Sequence, residues 1–246
     1  MTSLKSAFRN VLRQWDHDIF QVSALDFTTS IMRKQKLLAV QGIDLVLDVG
    51  ANEGQYGSFL RKQVGYRGAI VSFEPLSSAF ALLEKTAAGD ADWRPVNLAL
   101  GDKAGSATIH IAANSQSSSL LGMLDQHRAS APEAVYRGSE QITVSTVDLQ
   151  AASLGIGSKK VYLKIDTQGF ERSVLEGAQN SLQHIDTLEL EMSFVPLYEG
   201  QMLFPELTAY LRSLRYAMVS IEPNFCDPVS EEILQADVTF KRSRPA

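Results

Sequence analysis

Along this chain, short unbroken apolar runs alternate with stretches whose apolar residues recur every three or four positions, as strands and helices do in turn. Leu45, Val46, Leu47 and Val49 make the first run, of strand length, as in a strand buried on both faces of a parallel sheet. Gly50, Gly54 and Gly57 interrupt it, and a helical period follows over Tyr56, Phe59, Leu60 and Val64. The pattern then predicts a strand over 69–73, a helix from Ser77 to near Gly89 and a third strand over 93–100. Alternating positions mark exposed-edge strands over 106–111 and 140–147, able to pair as an added antiparallel ribbon. Core strands follow over 161–165 and 187–192, with a helix from Glu171 through Leu182 between them. A helix over 204–214 and strands over 216–221 and 236–241, with residues 223–228 between, close the sheet with an antiparallel hairpin.

Two segments precede the first strand. Residues 3–20 place Leu4, Phe8, Val11, Leu12, Trp15 and Ile19 at helical spacing, with Lys5, Arg9 and Arg13 between them. Such a helix docks on the domain or caps the cleft, the commoner use, or lies on anionic lipid as a peripheral membrane contact. Residues 26–42 read as a second helix that stops at Gly42. The expected organisation is one domain over 1–246, with an N-terminal helical segment over 1–42 and an α/β core over 43–246.

Composition narrows the class. At 246 residues and 45% hydrophobic, the chain can bury a substantial core. It has no apolar run near the ~20 residues that span a bilayer, and arginines stand where a signal peptide would be apolar. A cytoplasmic protein is expected. A net charge of −5 argues against a nucleic-acid partner, and a single cysteine, Cys226, offers neither a disulfide framework nor a metal cluster. Oligomeric state, a homodimer included, stays open.

A strand, a glycine turn and a helix N-terminus make the place where an open α/β sheet binds its ligand. A dinucleotide site would carry G-x-G-x-x-G there. This chain has G-x-x-x-G-x-x-G, with Asp48 just before the first glycine. An acid in that position suits a cationic ligand, and S-adenosylmethionine, with its sulfonium and ammonium, fits. Glu74, at the end of the second strand, is placed for two ribose hydroxyls. The turn over 97–102 packs beside the adenine or is a plain turn, with equal weight. A nicotinamide-dependent oxidoreductase would share the fold and Glu74 but not the glycine spacing. A non-catalytic nucleoside-binding module remains a rival.

Asp166 ends the 161–165 strand beside the glycine turn, and Glu191 ends its neighbour. Together they make a candidate pair for proton removal or for holding a divalent metal, which is left open and not predicted. Glu171 reads as a helix-start residue and Lys164 as a partner for the sheet's acids. The polar segment 114–138 is a candidate substrate lid through Ser117 and Ser119, or a solvated linker. His127 within it is a further candidate base; His110 lies nearby, and structural histidines are commoner.

The motifs D-V-G-A-N-E-G-Q-Y at 48–56, F-E-P at 73–75, N-L-A-L-G-D at 97–102, K-I-D-T-Q-G-F-E at 164–171 and V-L-E-G-A at 174–178 resemble the FkbM family of S-adenosylmethionine-dependent methyltransferases. The resemblance covers about residues 44–195, and Thr167-Gln168 depart from the family pattern at the pocket rim. It implies a class I methyltransferase, Rossmann-like sheet of seven strands with the last antiparallel. It also implies methylation of a hydroxyl on a sugar, glycolipid, polysaccharide or polyketide-type product. Carried over, Asp48, Gly50, Ala51, Asn52, Gly54, Tyr56, Glu74, Pro75, Asn97, Ala99 and Asp102 hold the cofactor. Asp166 lies at the reaction end as first choice of base, with Glu191 and His127 as alternatives.

Overall fold

The computed structural model describes residues 30–243; the helix expected over 3–20 lies outside them. The first described element is α1 (Ser30–Gln41), ending at Gly42 with φ +62°. It matches the second expected helix over the part described. The continuous apolar runs become β1 (Leu45–Val49), β2 (Ala69–Phe73) and, further on, β7 (Val161–Ile165). Between β1 and β2 lies α2 (Gln55–Phe59), which continues as a π-helical turn over Leu60–Val64. Helix α3 (Ser77–Ala87) leads to β3 (Trp93–Val96).

Here the chain departs from the expected single strand over 93–100. The run breaks at Asn97-Leu98, and Ala99–Leu100 form β4 in a different sheet. The Asn97 carboxamide donates to the backbone oxygens of Glu74 and Pro75 at 2.9 and 3.0 Å and turns the chain there. Strands β5 (Gly105–Ala112) and β6 (Tyr136–Ser145) pair antiparallel as the expected ribbon, and β4 joins β6 to make it three-stranded. The segment between them holds helix α4 (Asp125–Ser130). Strand β6 stops before Thr146, whose side chain accepts from Leu149 N at 3.0 Å and caps α5 (Val147–Leu154).

Helix α6 (Glu171–Glu176) is shorter than expected. Gly177 after it packs so closely that a Cβ would lie 1.9 Å from the Gly101 carbonyl oxygen. Then come β8 (Ile185–Ser193), α7 (Phe204–Ser213), β9 (Tyr216–Cys226) and β10 (Ile233–Arg242). Strand β9 runs through Pro223 because it is an edge strand, where a missing N–H costs the ladder nothing.

The main sheet has seven strands in the order β3-β2-β1-β7-β8-β10-β9, with β10 antiparallel to both neighbours. Strand alternation sends Leu47, Val49, Leu163 and Leu190 to one face, against Val147 of α5, Val174 of α6 and Leu211 of α7. Val46, Ile70 and Tyr162 face the other way, against Leu38 of α1, Leu60 and Leu83. Each such fully buried aliphatic side chain contributes about 1.5–3 kcal/mol. The chain is thus an α/β fold with helices on both faces and the strand ends of β1, β2 and β7 left open at one edge. No helix among the described residues is long and apolar enough to cross a membrane.

Candidate active site

A cavity of about 410 Å³ opens at those strand ends, within the usual size range of small-ligand sites. One wall is the turn after β1. Gly50 (φ +81°), Asn52 (φ +47°) and Gly54 (φ +89°) are left-handed there. A Cβ on Gly50 would lie 1.8 Å from the Asp166 carbonyl oxygen, so the turns after β1 and β7 touch backbone to backbone. Glu74, 5% exposed, fixes this wall. Its Oε2 accepts from Asn52 N and its Oε1 from Leu76 N, both at 2.8 Å. Burial pushes its carboxyl up to about 7, against the pull of those two N–H groups.

The second wall is an apolar slot between the two sheets. Leu98, Ala99, Leu100, Ile109 and Ile142 line it, with Phe170 and Leu76. The loop after β5 closes it from above, where Ser115 Oγ and the Asn52 side chain exchange hydrogen bonds at 3.2 Å.

The far end is acidic. Asp166 Oδ2 is 2.9 Å from Lys164 Nζ, and its Oδ1 accepts from Gln168 Nε2 at 2.9 Å. The same Gln168 nitrogen donates to Glu191 Oε2 at 2.5 Å, while its Oε1 accepts from the Tyr198 hydroxyl at 2.6 Å. Gln235 and Asn224 donate to Glu191 at 2.9 and 3.0 Å. Burial, then the neighbouring carboxylates Asp166 and Asp237, holds the Glu191 carboxyl well above its ordinary value. Asp237, also on the cavity, is pushed up to about 7 by burial and by Glu189. Burial disfavours the Lys164 ammonium, but Asp166 and Asp48 outweigh it and raise its pKa. Glu171 begins α6 as expected. Its Oε1 accepts from Thr167 N and Gly169 N at 3.0 and 3.1 Å, and burial raises its carboxyl to about 7.

The structure brings together Gly50, Ala51, Asn52, Tyr56, Glu74, Pro75, Ala99, Asp166 and Glu191 around this cavity. Others lie elsewhere. Asp48 is fully buried behind Lys164: its Oδ2 accepts from Ser72 Oγ at 2.9 Å, and its Oδ1 has no hydrogen-bond partner among the described residues. Gly54 packs against Leu83 and Trp93 instead of the cavity, Asn97 is spent on the chain break, and Asp102 is exposed. His127 is 3% exposed in a separate apolar cluster, edge-on to Tyr198 and near Phe225, and burial lowers its pKa. His110 stacks on Tyr136. In the 114–138 segment Ser119 reaches the cavity, and its Oγ donates to the Gln168 carbonyl oxygen at 2.7 Å. Ser117 is held by Asn114 instead.

Sequence reasoning passed over Asp237 as a site residue and placed Gln168 only at the pocket rim, where the structure has it on the cavity. It also missed Lys34, which pairs with Glu189 where Lys164 was the expected partner. In the sequence Lys34 is one of three basic residues, with Arg33 and Lys36, on the helix expected over 26–42; only a buried acid in need of a cation could have singled it out. Among the described residues no group of three or more His, Cys, Asp or Glu is arranged to hold a metal ion.

A family model described as the methyltransferase FkbM domain matches residues 48–218. Comparison with curated proteins finds no match. Among solved structures, an rRNA methylase from Streptococcus thermophilus is 12% identical with a TM-score of 0.46, over 89% of this chain and 99% of that one. Aeropyrum pernix fibrillarin in complex with natively bound S-adenosyl-L-methionine is 10% identical, TM-score 0.45, over 84% and 74%. A SAM-dependent methyltransferase from Aquifex aeolicus is 11% identical, TM-score 0.43, over 92% and 100%.

Proposed function

Since the chain belongs to the FkbM methyltransferase family and is an S-adenosylmethionine-dependent methyltransferase, we propose that the cavity at the β1, β2 and β7 ends is its cofactor site. We propose further that its acceptor is a hydroxyl of a sugar, glycolipid, polysaccharide or polyketide-type product. On this reading residues 43–246 form one catalytic core.

The donor set fits the cofactor. Each oxygen of Glu74 accepts one backbone N–H and keeps a lone pair for a ribose hydroxyl. The slot of Leu98, Ala99, Ile109 and Ile142 suits a flat apolar ring, and the acidic far end suits the cofactor's positive charges. When bound, the cofactor supplies a methyl group already activated on a sulfonium.

The chain's own task is then to align an acceptor oxygen, exclude water and take a proton. Asp166 is the first candidate base. It lines the cavity with 28% of its side chain exposed, and its backbone meets the cofactor turn at Gly50. That contact is the observation that carries the assignment, because it holds the carboxylate against the cofactor turn. Glu191 stands behind it, its oxygens occupied by Gln168, Gln235 and Asn224. The Gln168 carboxamide on the cavity wall favours a polyhydroxylated acceptor, since an amide both donates to and accepts from hydroxyls and a carboxylate accepts from them.

The test is transfer of labelled methyl from S-adenosylmethionine to a panel of free sugars, glycolipids, polysaccharides and polyketide alcohols, with amines and RNA in parallel. Label on a hydroxyl, lost in Asp166→Asn, supports the reading; label on RNA or on nitrogen alone overturns it.

A further inference from the structure

Glu189 lies in β8, in register with Lys164 of β7 and Thr239 of β10, and is 3% exposed. A carboxylate at that depth needs both a counter-charge and hydrogen-bond donors. Its Oε2 receives the Lys34 ammonium, the Tyr162 hydroxyl and, at 2.7 Å, the Tyr56 hydroxyl. Lys34 is 6% exposed and also bonds the Tyr162 hydroxyl at 3.0 Å. Among the described residues it is the cation paired with Glu189, because Lys164 is turned to Asp166.

Tyr162 is core, but Tyr56 is not: its ring forms part of the cavity wall. The Lys34 and Lys164 ammonium groups lie 5.6 and 4.9 Å from the centre of that ring. Lys34 belongs to α1, ahead of the span 48–218 that matches the family. A side chain from outside the matched span therefore reaches the cavity through one buried carboxylate.

We propose that Lys34 is a positioning residue for cofactor binding: it neutralises Glu189, which in turn anchors the Tyr56 hydroxyl and fixes its ring as a wall of the site. The inference rests on the reading of the cavity as the cofactor site. Without the ammonium, Glu189 is an uncompensated buried charge that turns toward water and carries its acceptor oxygen away from Tyr56.

The experiment is a double-mutant cycle of Lys34→Met and Tyr56→Phe, read as the Kd for S-adenosylhomocysteine by calorimetric titration beside the melting temperature of each free protein. Lys34→Met is expected to weaken binding roughly tenfold, the scale of coupling within one hydrogen-bonded network. In the Tyr56→Phe background it should weaken binding no further, although its loss of melting temperature persists. Equal weakening in both backgrounds, or none in either, overturns the proposal and leaves Lys34 as a clip for α1. A third variant serves if Lys34→Met does not fold. Lys34→Met/Glu189→Gln has a neutral amide that needs no cation and still accepts from Tyr56. It should bind within about threefold of wild type, well inside the coupling scale; a folded pair that binds as weakly as Tyr56→Phe overturns the proposal. A folded wild type that fails to bind removes the cofactor reading itself, and this inference with it.

Discussion

Glu74 offers the sharpest test of the proposed cofactor site, because its protonation and the proposed ribose contact are linked. In the free protein burial holds its carboxyl at about 7, against an ordinary 4.5. A vicinal diol donates two hydrogen bonds that only the ionised form accepts well, so binding should draw the group back toward its ordinary value. At about pH 5.5 the free protein must then surrender a proton to bind, and affinity for S-adenosylhomocysteine should be about twentyfold weaker than at about pH 7.5. The loss appears as pH falls, because the bound state is the one that holds fewer protons. Glu74→Gln removes the titrating group and leaves either Asn52 N or Leu76 N without an acceptor, at about 1–3 kcal/mol. Its affinity should be lower at every pH and should lack the component that titrates near 7. Calorimetric titration across that range, wild type beside variant, isolates Glu74 from Glu191 and Asp237, which both proteins share. Parallel pH profiles in the two proteins would refute the ribose assignment.

Three further outcomes follow from the same geometry. Asp166→Asn should keep its affinity for S-adenosylhomocysteine within about threefold, yet lose roughly 10²–10⁴ in transfer rate once an acceptor is known; undiminished turnover removes Asp166 as the base. Gly50→Ala places a Cβ 1.8 Å from the Asp166 carbonyl oxygen at φ +81°. Strain and overpacking together should cost about 2–5 kcal/mol by denaturant unfolding, and a change below about 1 kcal/mol would contradict the close approach. Glu171, buried with its carboxyl raised to about 7, makes the native state hold more protons than the unfolded chain between its ordinary 4.5 and that value. Wild-type stability should therefore fall across that window by up to about 3 kcal/mol more than in Glu171→Gln, whose carbonyl can still accept from Thr167 and Gly169; equal slopes by urea unfolding would refute it.

The strands over 69–73 and 161–165 were legible to the residue, because a strand buried on both faces is written as an apolar run, interrupted here only by Ser72 and Lys164. The break at Asn97 was not: nothing in the period of W-R-P-V-N-L-A-L marks where a side-chain amide captures two carbonyls and sends the chain into another sheet. Pro223 read as a turn residue, since edge position is a property of the assembled sheet and not of the local sequence. At the site, Glu74 and Asp166 could be placed because each ends a readable strand. Asp48 also sits near a strand end, but its side chain leaves on the α1 and α2 face and serves Ser72 and Lys164 from behind the cavity. His127 looked like a reactive side chain in a polar loop, and tertiary packing made it a core ring. Lys34 was hidden for the opposite reason, as its partner lies 155 positions away.

The backbone contact between Gly50 and Asp166 also bears on how such an enzyme changes over evolutionary time. Two turns that meet without room for a methyl group share one mutational fate: neither can drift unless the other shifts with it. Side chains that reach the cavity from other elements, Ser115 and Ser119 after β5 and Asp237 on β10, stand outside that lock. A substitution there changes what faces the cavity and leaves the two locked turns as they are.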